Sequence, residues 1–169
     1  MAMVKTSPIR SKLMAKVRRK GSAPELVVRT ILRRQGQKFR SNARKLPGSP
    51  DICSPWMEVA VFVHGCFWHR HRGCRACTTP KQNRDFWLDK FSQNVARDKR
   101  KIRQLRRLGY RVMVVWECEV KSASKLARLE RRLHRFFGGK GWESLRDRGR
   151  DPRKNPAGSL GPAPQDQRR

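Results

Sequence analysis

The sequence is poor in acidic residues. It has 13 Asp and Glu against 42 Lys and Arg in 169 residues, which gives a formal net charge of +29 at pH 7. The basic residues recur from Arg10 to Arg153 rather than in one terminal block, so we expect the whole surface to be positive. Such a surface attracts polyanions, and the phosphates of nucleic acid are the obvious counter-charge.

Long apolar runs are missing as well. The longest runs, residues 59–63 and 112–116, are far shorter than the about 18 apolar residues of a membrane helix and suit buried strands. The first thirty residues also lack the hydrophobic segment of a signal peptide. We therefore expect a soluble, cytoplasmic protein in a reducing compartment, where disulfides rarely persist. Its five cysteines then need an explanation by metal binding, packing or catalysis.

The two ends of the chain differ in composition. From Gly138 onward the sequence is rich in Gly, Pro and charge and almost free of large apolar side chains, so it cannot bury enough surface to offset the entropy of ordering. We predict one folded domain, residues 1–137, followed by a disordered Gly/Pro/Arg-rich tail, residues 138–169. The tail either keeps the protein soluble or adds non-specific affinity for DNA.

Apolar periodicity and turn signals predict an α/β sandwich with the order α-β-β-α-β-α. Ser22, Pro24 and Glu25 form a capping signal that opens the first helix. A short strand follows the turn at residues 46–51, and residues 59–64 and 110–116 form buried strands. Helices cover residues 85–108 and a last segment with a single apolar stripe. That stripe consists of Leu126, Leu129, Leu133 and Phe136.

A carboxylate interrupts the apolar face of the middle helix. Phe91, Val95, Asp98, Ile102 and Leu105 are spaced by four or three residues, which places them on one face. An inward carboxylate is costly unless it is paired. Asp98 therefore forms a salt bridge with a buried arginine or orients a catalytic histidine.

The segment after strand 59–64 combines histidines, cysteines and aromatic residues. Cys66, His71 and Cys74 supply three soft ligands within one loop, and Cys118, after the later strand, can complete a tetrahedral zinc site. Cys77 is a rival fourth ligand. Cys53 lies within a strand, where a small buried hydrophobe is expected.

Five segments of the chain resemble one protein family. They are LPGSPD at 46–51, FVHGCFWHRH at 62–71, FWLDK at 86–90, NVARD at 94–98 and GYRVMVVWEC at 109–118. In this order they are similar to the very-short-patch-repair (Vsr) DNA mismatch endonucleases, and the likeness extends from about Arg10 to Cys118. It implies a restriction-endonuclease-like central mixed sheet flanked by helices, with a structural zinc and a catalytic magnesium.

The resemblance also implies a reaction and its partners. Members of the family hydrolyse the phosphodiester 5′ of a thymine mispaired with guanine, the lesion left when 5-methylcytosine deaminates, and so begin very-short-patch repair. We expect a monomer that acts on double-stranded DNA with a T:G mismatch, in the cytoplasm at a bacterial-type nucleoid, with repair-pathway proteins as further partners.

Six residues match active-site positions of the family, five through their side chains and Val63 through its backbone carbonyl. Asp51 matches the magnesium-binding carboxylate, and the backbone carbonyl of Val63 matches a second magnesium ligand. His69 resembles the catalytic histidine held by Asp98, and an imidazole can deprotonate the attacking water. The remaining catalytic matches are His64, which we expect to contact phosphate, and Glu25, whose place in a capping box is an equal explanation.

Four residues match DNA-contacting positions of the family. Phe67, Trp68 and Trp87 match aromatic residues that intercalate beside the mismatch, where stacking on unstacked bases offsets kinking. Met14 matches a residue that inserts from the opposite groove. Spacing in the middle helix makes a core position equally plausible for Trp87.

Departures from the family pattern leave rival interpretations open. Gly73 lengthens the ligand loop by one residue, which makes Cys77 harder to exclude. The second acid and the lysine of the broader nuclease superfamily are missing after Val61, as in the Vsr family. The alternatives are a zinc-containing DNA-binding module without catalysis, and a nickase or restriction-type endonuclease with another target.

Overall fold

The computed structural model of the chain describes residues 21–138. Met14 and the part of the predicted tail from residue 139 onward lie outside these residues. Within them no helix is both long and apolar enough to cross a membrane.

The predicted order of helices and strands is confirmed, with one addition. The elements are α1 (Ala23–Arg34), β1 (Arg40–Ser41), β2 (Ile52–Ser54), β3 (Val59–His64), α2 (Arg84–Arg107), β4 (Arg111–Trp116) and α3 (Ala123–Gly138), with single 3-10 turns at Pro55–Met57 and Glu117–Val120. The addition is β1, whose two exposed residues carry no apolar alternation that a sequence pattern could reveal.

The four strands form one mixed sheet in the order β1-β2-β3-β4. The pairs β1/β2 and β2/β3 are antiparallel, and β3/β4 is parallel. A parallel pair needs a crossover connection, which α2 supplies. His64 and Trp116 are register partners at the ends of their strands, so the loops that follow both strands meet at the same edge of the sheet.

Apolar residues cover both faces of the sheet. On one face α1 and α3 pack against Val59 and Val61, and on the other α2 packs through Leu105 against Ala60 and Phe62. This alternation follows from the period of two in a strand. By the same period His64 points to the α2 face, which places its ring opposite the middle of that helix.

The burial of β4 differs from the prediction. A buried strand was expected, but Arg111 is exposed and only Val115 is fully buried. Within the described residues β4 is an edge strand, so it has a neighbouring strand on one side only, whereas β3 has one on each side.

The apolar stripes of two helices are also shifted. In α3 the fully buried aromatic residue is Phe137 rather than Phe136, because Phe137 lies four residues after Leu133 and so continues the row that faces the sheet. In α2 the buried residue at the corresponding turn is Asn94 rather than Val95.

Candidate active site and metal centre

One open cleft collects all five predicted catalytic side chains. It is bounded by the start of α1, the turn before β2, the end of β3 and the length of α2. It is lined by the titratable groups Glu25, Asp51, His64, His69 and Asp98, and by the basic side chains Arg44, Lys45, Lys90, Arg97, Lys101 and Arg107. Carboxylates and imidazoles among cations suit a phosphate-containing polymer.

Asp51 lies directly before β2 and faces the end of β3. Its Oδ2 accepts a hydrogen bond of 2.7 Å from the backbone N–H of Val63. Burial raises the pKa of the Asp51 carboxyl to about 6; the hydrogen bond from Val63 opposes this, and the charge of Glu25 adds to it. The N–H and C=O of one strand residue point to the same side, so the Val63 carbonyl lies on the edge of β3 that faces Asp51.

His69 is held between a carboxylate and a second imidazole. Its Nδ1 lies 2.5 Å from Asp98 Oδ2, and its ring stacks on His64 with a centroid distance of 3.9 Å and an interplanar angle of 12°. Because Asp98 occupies Nδ1, Nε2 is the ring nitrogen left to act on a substrate. The other partner of Asp98, Arg97, lies 3.8 Å away with a side chain that is 54% exposed, so the buried-arginine alternative is not what the structure shows.

Burial and neighbouring groups set the charge states of His64 and Asp98. Burial lowers the pKa of His64 to about 3, with a further lowering from His69, so His64 is neutral at ordinary pH. Burial acts to raise the pKa of Asp98, but the hydrogen bond and charge of His69 hold it below its usual range. The carboxylate of Asp98 is therefore ionised, the ring of His69 lies against it, and the neutral ring of His64 stacks on His69.

Glu25 takes part in capping and also lines the cleft. Its carboxylate accepts hydrogen bonds from the backbone N–H groups of Gly21 and Ser22, from the Ser22 hydroxyl and from the Arg29 guanidinium. These contacts confirm the capping signal. The same carboxylate lies near enough to Asp51 to raise its pKa, so capping and a role in the cleft are compatible.

Four metal-ligating side chains converge beyond the cleft. The donor atoms of Cys66, His71, Cys74 and Cys118 all lie within 4.8 Å of one another. His71 Nδ1 is 3.6 Å from Cys66 Sγ and 3.4 Å from Cys118 Sγ. In a tetrahedral zinc site, bond lengths of about 2.3 Å to sulfur and 2.0–2.1 Å to nitrogen separate the two donors by about 3.5 Å. The three-thiol, one-imidazole set therefore fits zinc, and Cys77 lies outside it.

Trp116 links this cluster to the cleft, and sequence reasoning missed it. Its indole stacks on His71 at a centroid distance of 4.2 Å and an angle of 3°, and meets the edge of His64 at 5.5 Å. The signal that could have found Trp116 is its place at the end of the second strand of a parallel pair, level with His64.

The aromatic residues of the loop form a cluster with α2. Phe67 contacts Trp68, Trp87 and Phe91 at centroid distances of 5.1, 5.7 and 5.0 Å. Phe67 and Trp68 are half-buried, and Trp87 is only 8% exposed, which fits its core alternative. The neighbouring Phe86, which sequence reasoning did not single out, is 46% exposed.

Comparisons with known proteins point to one family. The family model described as DNA mismatch endonuclease Vsr matches residues 3–75. The DNA mismatch endonuclease Vsr of Escherichia coli is 38% identical over 143 residues, which cover 83% of this chain and 91% of that protein.

Two further relatives carry the name type II nicking enzyme. V.XorIIP of Xanthomonas oryzae pv. oryzae is 47% identical over 125 residues, covering 74% of this chain and 89% of that protein. V.NmeAIP of Neisseria meningitidis serogroup A is 40% identical over 132 residues, covering 76% of this chain and 94% of that protein.

Proposed function

Because the chain belongs to the Vsr family of DNA mismatch endonucleases and is a DNA endonuclease, we propose that it nicks one strand 5′ of the thymine in a T:G mismatch. The lesion would arise from deamination of 5-methylcytosine, and the nick would begin very-short-patch repair. The observation that carries this proposal is the His69–Asp98 pair, which lies in the same basic cleft as Asp51.

We propose that His69 is the general base of the reaction. With Asp98 on Nδ1, its Nε2 can take a proton from the attacking water, and the carboxylate stabilises the imidazolium that forms. The neutral, buried ring of His64 restrains His69 by stacking, and we propose that His64 also contacts the scissile phosphate. Glu25 is proposed as a further acidic residue of the same site.

Asp51 and the backbone carbonyl of Val63 would hold magnesium. Magnesium prefers oxygen ligands and keeps several waters, so one carboxylate and one carbonyl beside a substrate phosphate are a sufficient protein contribution. The partly buried carboxylate of Asp51, with its raised pKa, is a group whose ionised form a cation favours. When bound, the ion would stabilise negative charge on the attacking and leaving oxygens.

The cluster of Cys66, His71, Cys74 and Cys118 would hold structural zinc within a restriction-endonuclease-like fold. Zinc there would anchor both ends of the short segment that carries Phe67, Trp68 and His69. The half-buried aromatic residues of this segment are proposed to stack on bases at the mismatch, where unstacking is easiest.

The setting of the reaction follows from the same proposal. We propose a monomer that acts in the bacterial cytoplasm, with further repair proteins taking over the nicked DNA. A second candidate is a nicking enzyme with another target, because two of the relatives are named type II nicking enzymes.

One assay separates these candidates. Duplexes of a single sequence with a matched pair, a T:G mismatch or a C:A mismatch are incubated side by side with and without Mg²⁺. We expect nicking of the T:G duplex alone, and only with Mg²⁺. Equal nicking of the matched duplex would favour the second candidate, and cleavage without a divalent ion would contradict the magnesium assignment.

A further inference from the structure

The ring of Trp116 touches both functional centres of the protein. One face stacks on His71, a member of the four-donor cluster, and the ring also meets His64, which stacks on His69. A rotation or shift of Trp116 would therefore disturb the donor cluster and the imidazole pair together. The contacts that hold Trp116 in place therefore bear on both the donor cluster and the imidazole pair.

A side-chain network fixes the backbone at Trp116. The N–H of Trp116 donates to Glu119 Oε2 at 2.8 Å. Arg132, from α3, donates to both oxygens of Glu119 at 2.7 and 3.0 Å, and also to the carbonyl of Val114 at 3.1 Å. Four hydrogen bonds, made by one guanidinium and one carboxylate, thus tie the 3-10 turn that carries Cys118 to β4 and α3.

The geometry of this network indicates positioning rather than general stabilisation. The side chain of Glu119 is 18% exposed and that of Arg132 is 37% exposed, and a partly exposed ion pair contributes little stability by charge alone. A two-pronged arginine–carboxylate contact does, however, fix relative orientation. Neither side chain lines the cleft, so both act at a distance from the substrate.

We propose that Glu119 and Arg132 are positioning residues, which hold Trp116 and Cys118 in register with His71 and His64 and so couple α3 to the metal centre and the active site. This inference rests on the proposed zinc site. Partners behind metal ligands commonly set how tightly the metal is held.

The test compares zinc retention in the full-length, zinc-loaded protein and its variants. Glu119→Gln leaves one acceptor oxygen where three hydrogen bonds need two, and Arg132→Met removes the guanidinium. Arg131→Met removes an equal charge from an exposed neighbour on the same helix. Zinc per chain is measured first, followed by the rate of zinc release to an excess of chromogenic chelator. We expect roughly 10-fold faster release from the first two variants, and the wild-type rate from Arg131→Met.

A charge swap separates positioning from electrostatics. Glu119→Arg combined with Arg132→Glu restores an opposite pair but removes the acceptor for the Trp116 N–H, so fast release should persist. Return to the wild-type rate in the swap would overturn the inference, as would wild-type release from both single variants. If Arg132→Met does not fold, Arg132→Lys and Glu119→Gln decide in its place. A wild-type protein without zinc would instead overturn the zinc assignment itself.

Discussion

At the scale of single residues, the proposed chemistry depends on one short contact. Asp98 is a carboxylate on a largely apolar helix face, and it meets His69 rather than a buried arginine. This pairing gives the inward carboxylate a partner and leaves one nitrogen of His69 for the substrate. The two residues should therefore act as one unit.

Substitution of the pair tests this unit. His69→Ala should slow single-turnover nicking by about 10²–10⁴-fold, the usual contribution of a general base. Asp98→Ala should also slow the chemical step, and the double variant should lose less than the product of the two single losses. Rates are measured at saturating enzyme and equal pH, and fully additive losses would count against a coupled pair.

A second prediction at this scale concerns Asp51. Asp51→Asn keeps the shape of the side chain but weakens the proposed magnesium site, so nicking should be abolished while binding of duplex DNA persists. The matched control is Asp89→Asn, which removes one charge from an exposed position on α2 and should leave both properties unchanged. Nicking by Asp51→Asn at the wild-type rate, over a titration of Mg²⁺, would exclude Asp51 as the ligand.

At the scale of elements, the loop after β3 and the turn after β4 depend on each other. The loop supplies Cys66, His71 and Cys74, and the turn supplies Cys118. The parallel pairing of β3 and β4 brings them together, because both strands end at the same edge. Zinc at this point would connect two segments that are far apart in sequence.

The five cysteines allow a controlled test of this connection. Cys118→Ser should lose zinc and give unstable or insoluble protein, since binding energy at a structural site contributes to folding. Cys77→Ser, in the same region but outside the cluster, should retain one zinc per chain and a normal melting temperature. Loss of zinc from the Cys77 variant alone would reverse the assignment of the fourth ligand.

The aromatic segment within this loop makes a further prediction. Trp68→Ala should reduce the preference for T:G over T:A duplex by roughly 10-fold, because stacking on one base is worth about 1–3 kcal/mol. Trp68→Phe retains an aromatic face and should preserve most of the preference. Binding is measured for both duplexes at one ionic strength. Undiminished discrimination by Trp68→Ala would identify Trp68 as a core residue of the cluster.

At the scale of the whole molecule, positive charge is widespread, whereas the proposed catalytic groups lie in one cleft. The net charge of +29 is spread along the chain, and in the cleft basic side chains flank a small group of carboxylates and imidazoles. Non-specific affinity should therefore come from many phosphate contacts and weaken steeply with salt. Selectivity and catalysis should depend on far fewer residues.

Much of this architecture could be predicted from sequence, because the spacing of apolar and polar residues over a short segment indicates which side chains are buried. The continuous apolar run of β3, the capping box at Glu25 and the inward Asp98 each have a short-range signature, and each is found in the structure. The exposed edge of β4, the two-residue β1 and the choice of Phe137 over Phe136 depend on which elements pack together. No spacing rule contains that information.

The candidate site also contains residues that the sequence indicates and residues that only the packing of elements reveals. The metal-ligating residues of the loop stand out by type and spacing, whereas Trp116, Glu119 and Arg132 gain their importance from the parallel strand register and from the docking of α3. Arg132 is one of many arginines in this basic chain, and nothing in its sequence context indicates that it contacts Glu119, thirteen residues earlier.

The central claim is tested most directly by mapping the broken bond. A duplex with a single T:G mismatch, labelled separately on each strand, is incubated with the protein and Mg²⁺ under single-turnover conditions and analysed on a denaturing gel. We predict one product, from cleavage 5′ of the mispaired thymine with the guanine strand intact, and almost none with His69→Ala. Cleavage of both strands, or of a bond unrelated to the mismatch, would contradict the proposed nicking 5′ of the mispaired thymine.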